Sequence, residues 1–172
     1  YTRQELVYVV ADTAWVGDVE CIGLTPSTPV EVLIHARNAV PVEGMLIPVA
    51  YSGDLQLAYD GFTTEGCRTA EFATQTEHFH NPVDKTMLFE LKGDPGLSPG
   101  SGPIIRLLFH ALAPANGQTA TISLASELVG TDPQFQTGSG LYRPVTIDGS
   151  FQWLCCIGTT GNVNTAGIVD LA

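Results

Sequence analysis

The sequence is poor in basic residues, and its two lysines are Lys85 and Lys92. It has 7 Lys and Arg against 18 Asp and Glu, which gives a net charge of −11 at neutral pH. Proteins that bind nucleic acid neutralise phosphates with basic side chains, so this composition excludes nucleic acid as a partner. An anionic membrane surface is disfavoured for the same reason. So acidic and lysine-poor a composition is typical of a secreted or cell-surface protein of a bacterium or an archaeon.

Long apolar runs are also missing. No stretch approaches the roughly 20 apolar residues that cross a bilayer, so we predict no membrane insertion. The chain lacks a starting Met and a signal peptide, and we expect Tyr1 to be a processed or trimmed end. Its 172 residues, of which 44% are hydrophobic and 15% charged, predict one folded domain with room for a short appendage.

Catalytic signatures are absent as well. The sequence has no G-x-S-x-G, H-E-x-x-H or P-loop motif. His78 and His80 form an H-x-H pair whose side chains can share one face of an extended segment, but two further metal ligands are missing. Asp54 and Asp60 flank a predicted strand, and we interpret them as solvated turn residues. These observations predict a protein that is not an enzyme and has no cofactor.

The four cysteines, Cys21, Cys67, Cys155 and Cys156, do not have the C-x-x-C spacing of a zinc or redox site. Four cysteines allow three pairings, and the sequence does not choose among them. The adjacent Cys155 and Cys156 are expected to pair with Cys21, with Cys67 or with another chain. An oxidising location favours these disulfides. The alternative is four buried free thiols.

Helical periodicity is nearly absent, and short runs of alternating apolar and polar residues recur instead. In Val30–Ala36, for example, the even-numbered residues predict one face and the odd-numbered residues the other. About ten such strands, spaced about 8–12 residues apart, predict a sandwich or barrel. The predicted strands are Leu6–Val10, Val30–Ala36, Met45–Tyr51, Leu55–Phe62, Arg68–Thr74, Thr86–Leu91, Ile104–Leu112, Thr119–Leu124, Tyr142–Ile147 and Ser150–Leu154.

Two segments rich in Gly and Pro are predicted to be loops, namely Lys92–Pro103 and Gly130–Gly140. We place the end of the domain at Leu154, where the last predicted strand ends. This divides the chain into a domain of residues 1–154 and a tail of residues 155–172.

The segment from Val30 to Phe62 has an Asn corner at Asn38, a Gly at Gly44 and a strand that ends in Tyr51 before an acidic turn. In these features the domain resembles cohesin modules. The segment SPGSGPIIRLLFHALAPANGQTATISL is similar to the later cohesin strands, and LYRPVTIDGSFQW is similar to the last hairpin. The resemblance implies an all-β, jelly-roll or cohesin-like β-sandwich of about nine to ten strands that binds another protein.

The tail reads as part of a calcium-binding loop. If Asn162 is position 1 of such a loop, Asn164 is position 3 and Asp170 is position 9, and all three are candidate calcium ligands. Gly167 is the expected turn glycine, but Ala166 lacks a side-chain oxygen. With these residues the tail resembles the start of a dockerin, the calcium-loop module that cohesins bind. We therefore expect weak calcium binding at most.

Two apolar sets are candidate contact surfaces. On the strands, Leu33, Leu88 and Leu108 have outward parity and predict a mixed patch, provided that the strands are neighbours. In the tail, β-prone residues could add a strand to the sheet of a neighbouring copy; these are Val163, Ile168, Val169 and Leu171.

We expect a non-catalytic, extracellular assembly module, a fibre or surface-layer subunit whose tail docks into another copy of itself. One alternative is a cohesin- or dockerin-type attachment module of a larger secreted protein. Another is a carbohydrate-binding module, in which the tryptophans would form an exposed platform. Trp15 is predicted to lie in a loop and Trp153 in the core.

Overall fold

A computed structural model describes residues 12–22, 27–114, 116–124 and 131–154, together with the backbone of 162–163 and 169–170. The strands of the domain pack as two sheets around one core. The predicted all-β sandwich is therefore confirmed. Among the described residues there is no helix long and apolar enough to cross a membrane.

The strands have between two and twelve residues and follow one another closely along the chain. In chain order they are β1 (Thr13–Val16), β2 (Val19–Ile22), β3 (Val30–Asn38), β4 (Val42–Gly53), β5 (Leu57–Thr63), β6 (Thr74–Asn81), β7 (Thr86–Leu97), β8 (Gly100–Ala111), β9 (Thr119–Ser123), β10 (Gln134–Thr137), β11 (Gly140–Tyr142), β12 (Val145–Ile147), β13 (Gly149–Leu154), β14 (Asn162–Val163) and β15 (Val169–Asp170).

The smaller sheet of the sandwich has five strands in the order β12-β1-β3-β8-β5. The larger sheet has eight strands, and the path β11-β10-β4-β9-β13-β2 runs through it. On the other side of β4 lies β7, and β6 pairs with β7 at the edge. A separate two-stranded pairing joins β14 to β15 in the tail.

The core lies between the two sheets and is built by alternation along the strands. In β3, Val32, Ile34 and Ala36 are fully buried while the residues between them point outward, as the sequence pattern predicts. In the larger sheet, Ile47 and Phe89 are fully buried on neighbouring strands. Burial of each large apolar side chain contributes about 1.5–3 kcal/mol to stability.

On one side of the sandwich, the chain crosses from the small sheet to the large sheet twice, between β1 and β2 and again between β12 and β13. The two crossings lie side by side, because β12 pairs with β1 and β13 pairs with β2, both in parallel. At the crossing, the Asp18 carboxylate accepts hydrogen bonds from the Ser150 N–H (2.8 Å) and hydroxyl (2.9 Å). A Cβ atom on Gly149 would lie 2.8 Å from Val16, so the crossing needs glycine there.

The segment predicted as a strand at Arg68–Thr74 is a series of turns, so that prediction is wrong. Its backbone N–H groups donate locally, from Ala70 to the Cys67 carbonyl (3.1 Å) and from Phe72 to the Thr69 carbonyl (3.0 Å). These N–H groups are therefore not available to a neighbouring strand.

The Arg68 side chain holds this turn segment against the sandwich. Its guanidinium donates to the Ala36 carbonyl (3.1 Å), to the Asn38 side-chain oxygen (2.9 Å) and to the Ser98 carbonyl (2.7 Å). Burial lowers the pKa of Arg68. The turn segment is thus anchored to β3 and to the β7–β8 hairpin.

Both predicted Gly- and Pro-rich loops are largely strand, which corrects those predictions. β7 continues to Leu97 because its pairing with β4 is interrupted only by an irregularity between the partners of Val42 and Gly44. Pro103 is tolerated in β8 because β5 pairs with that strand only from Arg106 onward, so no strand needs an N–H group from residue 103. On that edge the Pro103 carbonyl accepts a hydrogen bond from the Arg68 N–H (2.8 Å). The second segment contains β10 and the start of β11, which form a hairpin.

The other predicted strands coincide with observed ones to within a few residues, with two exceptions. Tyr142–Ile147 is split between the end of β11 and β12, because residues 143 and 144 are not in a strand. Leu6–Val10 lies outside the described residues.

We expect Gly149→Ala to lower the free energy of unfolding by about 1–3 kcal/mol, because the new Cβ overlaps Val16 at the crossing. Urea unfolding at neutral pH measures this change. Gly138→Ala is the matched control, since a Cβ there would meet the end of the Glu43 side chain at 3.3 Å. The control should change stability by only about 0.5 kcal/mol. Equal losses in both variants would show that the crossing is not tightly packed.

The same crossing predicts a dependence of stability on pH. Hydrogen bonds from the Ser150 backbone and hydroxyl lower the pKa of Asp18. A carboxylate whose pKa is lower in the folded state adds stability above its unfolded pKa and loses that contribution as the pH falls through its folded pKa. The stability difference between wild type and Asp18→Asn should therefore shrink in acid, as measured by urea midpoints across pH. Asp94→Asn is the control, and a gap for Asp18→Asn that is constant with pH would contradict the assignment.

Candidate functional site

The outer face of the large sheet carries an apolar row that crosses three strands. We define the large-sheet face as the outward side chains of β4, β6, β7, β10 and β11. Phe79, Leu88 and Pro48 are register partners on β6, β7 and β4 and form this row. Phe79 is 39% exposed, Leu88 is half-buried and Pro48 is buried. Leu46 lies beside the row, two residues along β4.

A charged cluster borders the apolar row. Glu90 lies 2.9 Å from His78 Nε2 and also forms an ion pair with Lys92. Hydrogen bonds from Lys92 and then from His78 lower the pKa of Glu90. Glu90 therefore stays ionised at neutral pH, and its charge is matched by the neighbouring lysine.

The β10–β11 hairpin forms a shallow recess next to this cluster, with a volume of about 200 Å³. Leu46 and Leu141 provide its apolar surface, and Leu141 is 68% exposed. Gln134 and Gln136 line it with amide groups. Gly44 allows the Gln136 side chain to pack closely against β4, because a Cβ on residue 44 would lie 3.1 Å from the Gln136 side-chain oxygen. The recess is large enough to accept a side chain of a bound protein.

The outer face of the small sheet is a second open surface, which we call the small-sheet face. Trp15 on β1 is stacked on His35 of β3, with ring centroids 4.9 Å apart and an angle of 10° between the planes. On the other flank, Trp15 is in register with Ile147 of β12. The indole is thus flanked on both sides and does not lie open as a flat platform. Burial lowers the pKa of His35.

Acidic side chains on the small-sheet face are also paired. Glu31 accepts from Arg106 at 2.6 Å, and Asp60 lies 2.8 Å from His110 Nδ1. Leu33 and Leu108 share this face, since each lies opposite a member of the Glu31–Arg106 pair on the neighbouring strand.

The three predicted leucines do not form one patch. Leu33 and Leu108 are on the small sheet, but Leu88 is on the large sheet, since β7 pairs with β4 and β6. The alternation correctly gives the outward direction of each leucine, but the condition that their strands are neighbours is not met for Leu88. Leu88 belongs instead to the apolar row of the large-sheet face.

His78 and His80 lie on opposite sides of β6, which corrects the expectation of a shared face. An irregularity between Glu77 and Phe79 shifts the alternation by one residue. His78 therefore reaches Glu90 on the outside, whereas the ring of His80 lies 4.8 Å from the ring of Tyr59. Tyr59 also donates to Glu77 at 2.6 Å, and burial and this bond raise its pKa. Within the described part of the chain, no three His, Cys, Asp or Glu side chains are grouped to hold a metal ion.

Cys21 and Cys67 are both buried and free, so they are not paired with each other. Burial raises the pKa of Cys21 to about 11. Burial also raises the pKa of Cys67, although Arg106 opposes this shift. For these two residues the structure agrees with the alternative of buried free thiols. Cys155 and Cys156 lie outside the described residues.

The tryptophans do not form a platform for sugars. Trp153 is 3% exposed and belongs to the core, as predicted. Trp15 is on strand β1, not in the predicted loop, and is flanked by His35 and Ile147. The exposed aromatic surface that a carbohydrate-binding module requires is therefore not provided by either tryptophan.

The tail candidates are only partly placed. The backbones of β14 and β15 pair so that Asn162 lies opposite Asp170 and Val163 opposite Val169. The side chains of these four residues, and all of Asn164, Ile168 and Leu171, lie outside the described part. Calcium binding and docking by the tail therefore stay predictions.

No protein-family model matches the chain, and no curated protein matches it. Solved structures do match. A non-cellulosomal cohesin from the archaeon Archaeoglobus fulgidus superposes with a TM-score of 0.63 at 16% identity, covering 84% of this chain and 92% of that one. A cohesin in a type I cohesin–dockerin complex from Clostridium thermocellum has a TM-score of 0.64 at 11% identity, covering 90% of this chain and 100% of that one.

A type III cohesin from a cell-surface anchoring scaffoldin of Ruminococcus flavefaciens has a TM-score of 0.64 at 12% identity, covering 84% of this chain and 88% of that one. These matches cover most of each chain, and they agree with the resemblance of the sequence to cohesin modules. At such low identity they establish the architecture alone. The two-sheet β-sandwich of this chain has the cohesin fold.

Proposed function

We propose that this chain is a non-catalytic, extracellular attachment module that binds a dockerin-like protein through its large-sheet face. The observation that carries the proposal is an apolar row, with the exposed side chain of Phe79 at one end, on a sandwich with the cohesin fold. Solved structures with this fold include several cohesin–dockerin complexes. One similar structure comes from a cell-surface anchoring protein, which supports the proposed location.

The chemistry of the large-sheet face suits a protein interface. Such interfaces have an apolar, aromatic core with few net charges and a polar rim. Phe79 supplies the exposed aromatic anchor beside Leu88. Glu90 is neutralised by Lys92, so the face adds little to the negative charge of the chain. The Gln136 amide and the recess beside it offer hydrogen bonds at the rim.

The non-catalytic part of the proposal rests on how the titratable groups are spread. The pairs Glu90–His78 and Asp60–His110 lie on opposite sheets. Each histidine ring is hydrogen-bonded to one carboxylate on the outer surface of its sheet. No arrangement of nucleophile, base and oxyanion donors converges on one cleft within the described ranges.

A filament subunit that docks its tail by strand addition is the less favoured proposal. Strand addition needs an open and regular sheet edge. The described edge strands β12 and β11 have three residues each, and β2 has four. The other two edges, β5 and β6, are interrupted by irregularities at Tyr59/Gly61 and Glu77/Phe79. Short and bulged edges resist pairing with another strand.

We expect Phe79→Asp to weaken binding of a dockerin module at least about tenfold, because it places a charge in the apolar row. The measurement is titration calorimetry against a dockerin selected from a panel for binding to the wild-type chain. Ile147→Asp is the matched control, since Ile147 is an exposed apolar residue on the opposite sheet. Circular dichroism verifies that both variants fold.

Two outcomes would contradict this proposal. The first is that no dockerin in the panel binds the wild-type chain. The second is that Ile147→Asp abolishes binding while Phe79→Asp leaves it unchanged, which would move the binding site to the small sheet.

A further inference from the structure

The small-sheet face has its own exposed apolar side chains, which the proposed dockerin site does not use. Val145 is 52% exposed and Ile147 is 55% exposed, and both lie on β12 with their side chains on the same side of the sheet as Trp15. Leu33 and Leu108 extend this apolar surface across β3 and β8. Exposed apolar side chains that adjoin one another on a sheet mark a contact surface.

Charges on this face are arranged with an acidic end and a basic end. Glu31 and Arg37 both point outward from β3, six residues apart, which is about 20 Å along the strand. Asp60 and Glu31 lie towards one end of the face, each already next to a basic group. Arg37 lies at the other end, is exposed, and has no ion pair with any described residue. The face therefore has an arginine without an ion pair at one end and, at the other end, two carboxylates that share one arginine and one histidine.

Such a face is complementary to a second copy of itself. Consider a two-fold axis that lies in the plane of the interface and runs perpendicular to the strands, crossing β3 between Leu33 and His35. This axis places β3 of one copy antiparallel over β3 of the other. Arg37 of each copy then faces Glu31 of the other. Two-fold contacts of this kind pair one surface patch with the same patch. Sheets packed face to face are about 10 Å apart, a distance that these side chains can bridge.

The apolar side chains fall next to the axis in the same arrangement. Trp15 is in register with His35 on β3, and Ile147 is in register with Trp15. All three residues therefore lie close to the two-fold axis, where Trp15 and Ile147 of one copy lie opposite Trp15 and Ile147 of the other. Two outward carboxylates, Glu31 and Asp60, balance the two outward arginines of the face. Two chains of net charge −11 can therefore approach through this face without bringing unpaired carboxylates together.

We infer that the chain forms a two-fold symmetric dimer through the small-sheet face, with Arg37 of each copy paired to Glu31 of the other. The large-sheet face lies on the opposite side of the sandwich and stays open in this dimer. A dimer would then present two partner sites, and its avidity would exceed the affinity of one site. The inference does not rest on the proposed partner.

Sedimentation equilibrium of the full chain over a range of concentrations tests the inference. We expect a monomer–dimer equilibrium that Ile147→Asp weakens at least about tenfold. Arg37→Glu should weaken it similarly by placing two carboxylates opposite each other. The double variant Arg37→Glu, Glu31→Arg exchanges both charges and should recover dimerisation in part. Phe79→Asp, on the opposite face, should leave the dimer unchanged.

Three results would overturn the inference. A wild-type chain that is monomeric at all concentrations would show that a second copy does not cover the face. Loss of the dimer in Phe79→Asp, with no effect of Ile147→Asp, would place self-association on the large sheet. Failure of the charge exchange to recover any dimer, in a double variant that is folded by circular dichroism, would refute the pairing of Arg37 with Glu31. The first and third results do not bear on whether a dockerin binds at Phe79, whereas the second would place a second copy on the face proposed for the dockerin.

Discussion

The joint crossing of β1–β2 and β12–β13 from one sheet to the other is the constraint on which the sandwich depends. It fixes the distance between the sheets on one side, because Gly149 packs directly against Val16 and Asp18 bonds Ser150. The opposite side is left open between β5 and β6, where the hydrogen bond from Tyr59 to Glu77 bridges the sheets. With one side fixed and the core packed between, both sheets can present flat outer faces without further support.

Alternation along each strand could be predicted from the sequence, because it depends only on local order. It correctly gives the buried and exposed sides of β3 and the outward directions of Leu33, Leu88 and Leu108. It does not say which strands are neighbours, and that is why it does not separate Leu88 from Leu33 and Leu108. The pairing of β7 with β4 joins residues about 40 positions apart, such as Pro48 and Leu88, and no local pattern encodes it.

The strands that the sequence does not reveal have physical reasons for being hidden. β1 and β2 have four residues each and are separated by two residues, so each is too short for its alternation to be distinguished from chance. β6 is mostly polar because it covers the open side of the core with Gln75, Glu77 and His80 instead of apolar side chains. Conversely, Arg68–Thr74 has the composition of a strand, but its backbone is taken up by turns that Arg68 anchors.

The distribution of charge explains how so acidic a chain can offer two contact surfaces. On the sheets, three carboxylates have a basic neighbour: Lys92 for Glu90, Arg106 for Glu31 and His110 for Asp60. Many of the other acidic side chains lie in turns and at strand ends, for example Asp54 and Glu71. The resulting negative rim keeps unrelated acidic surfaces away, whereas the neutral faces leave apolar side chains free to contact a partner. Because the rim charge repels at long range and is screened by salt, it favours partners that fit a face closely over those that touch it loosely.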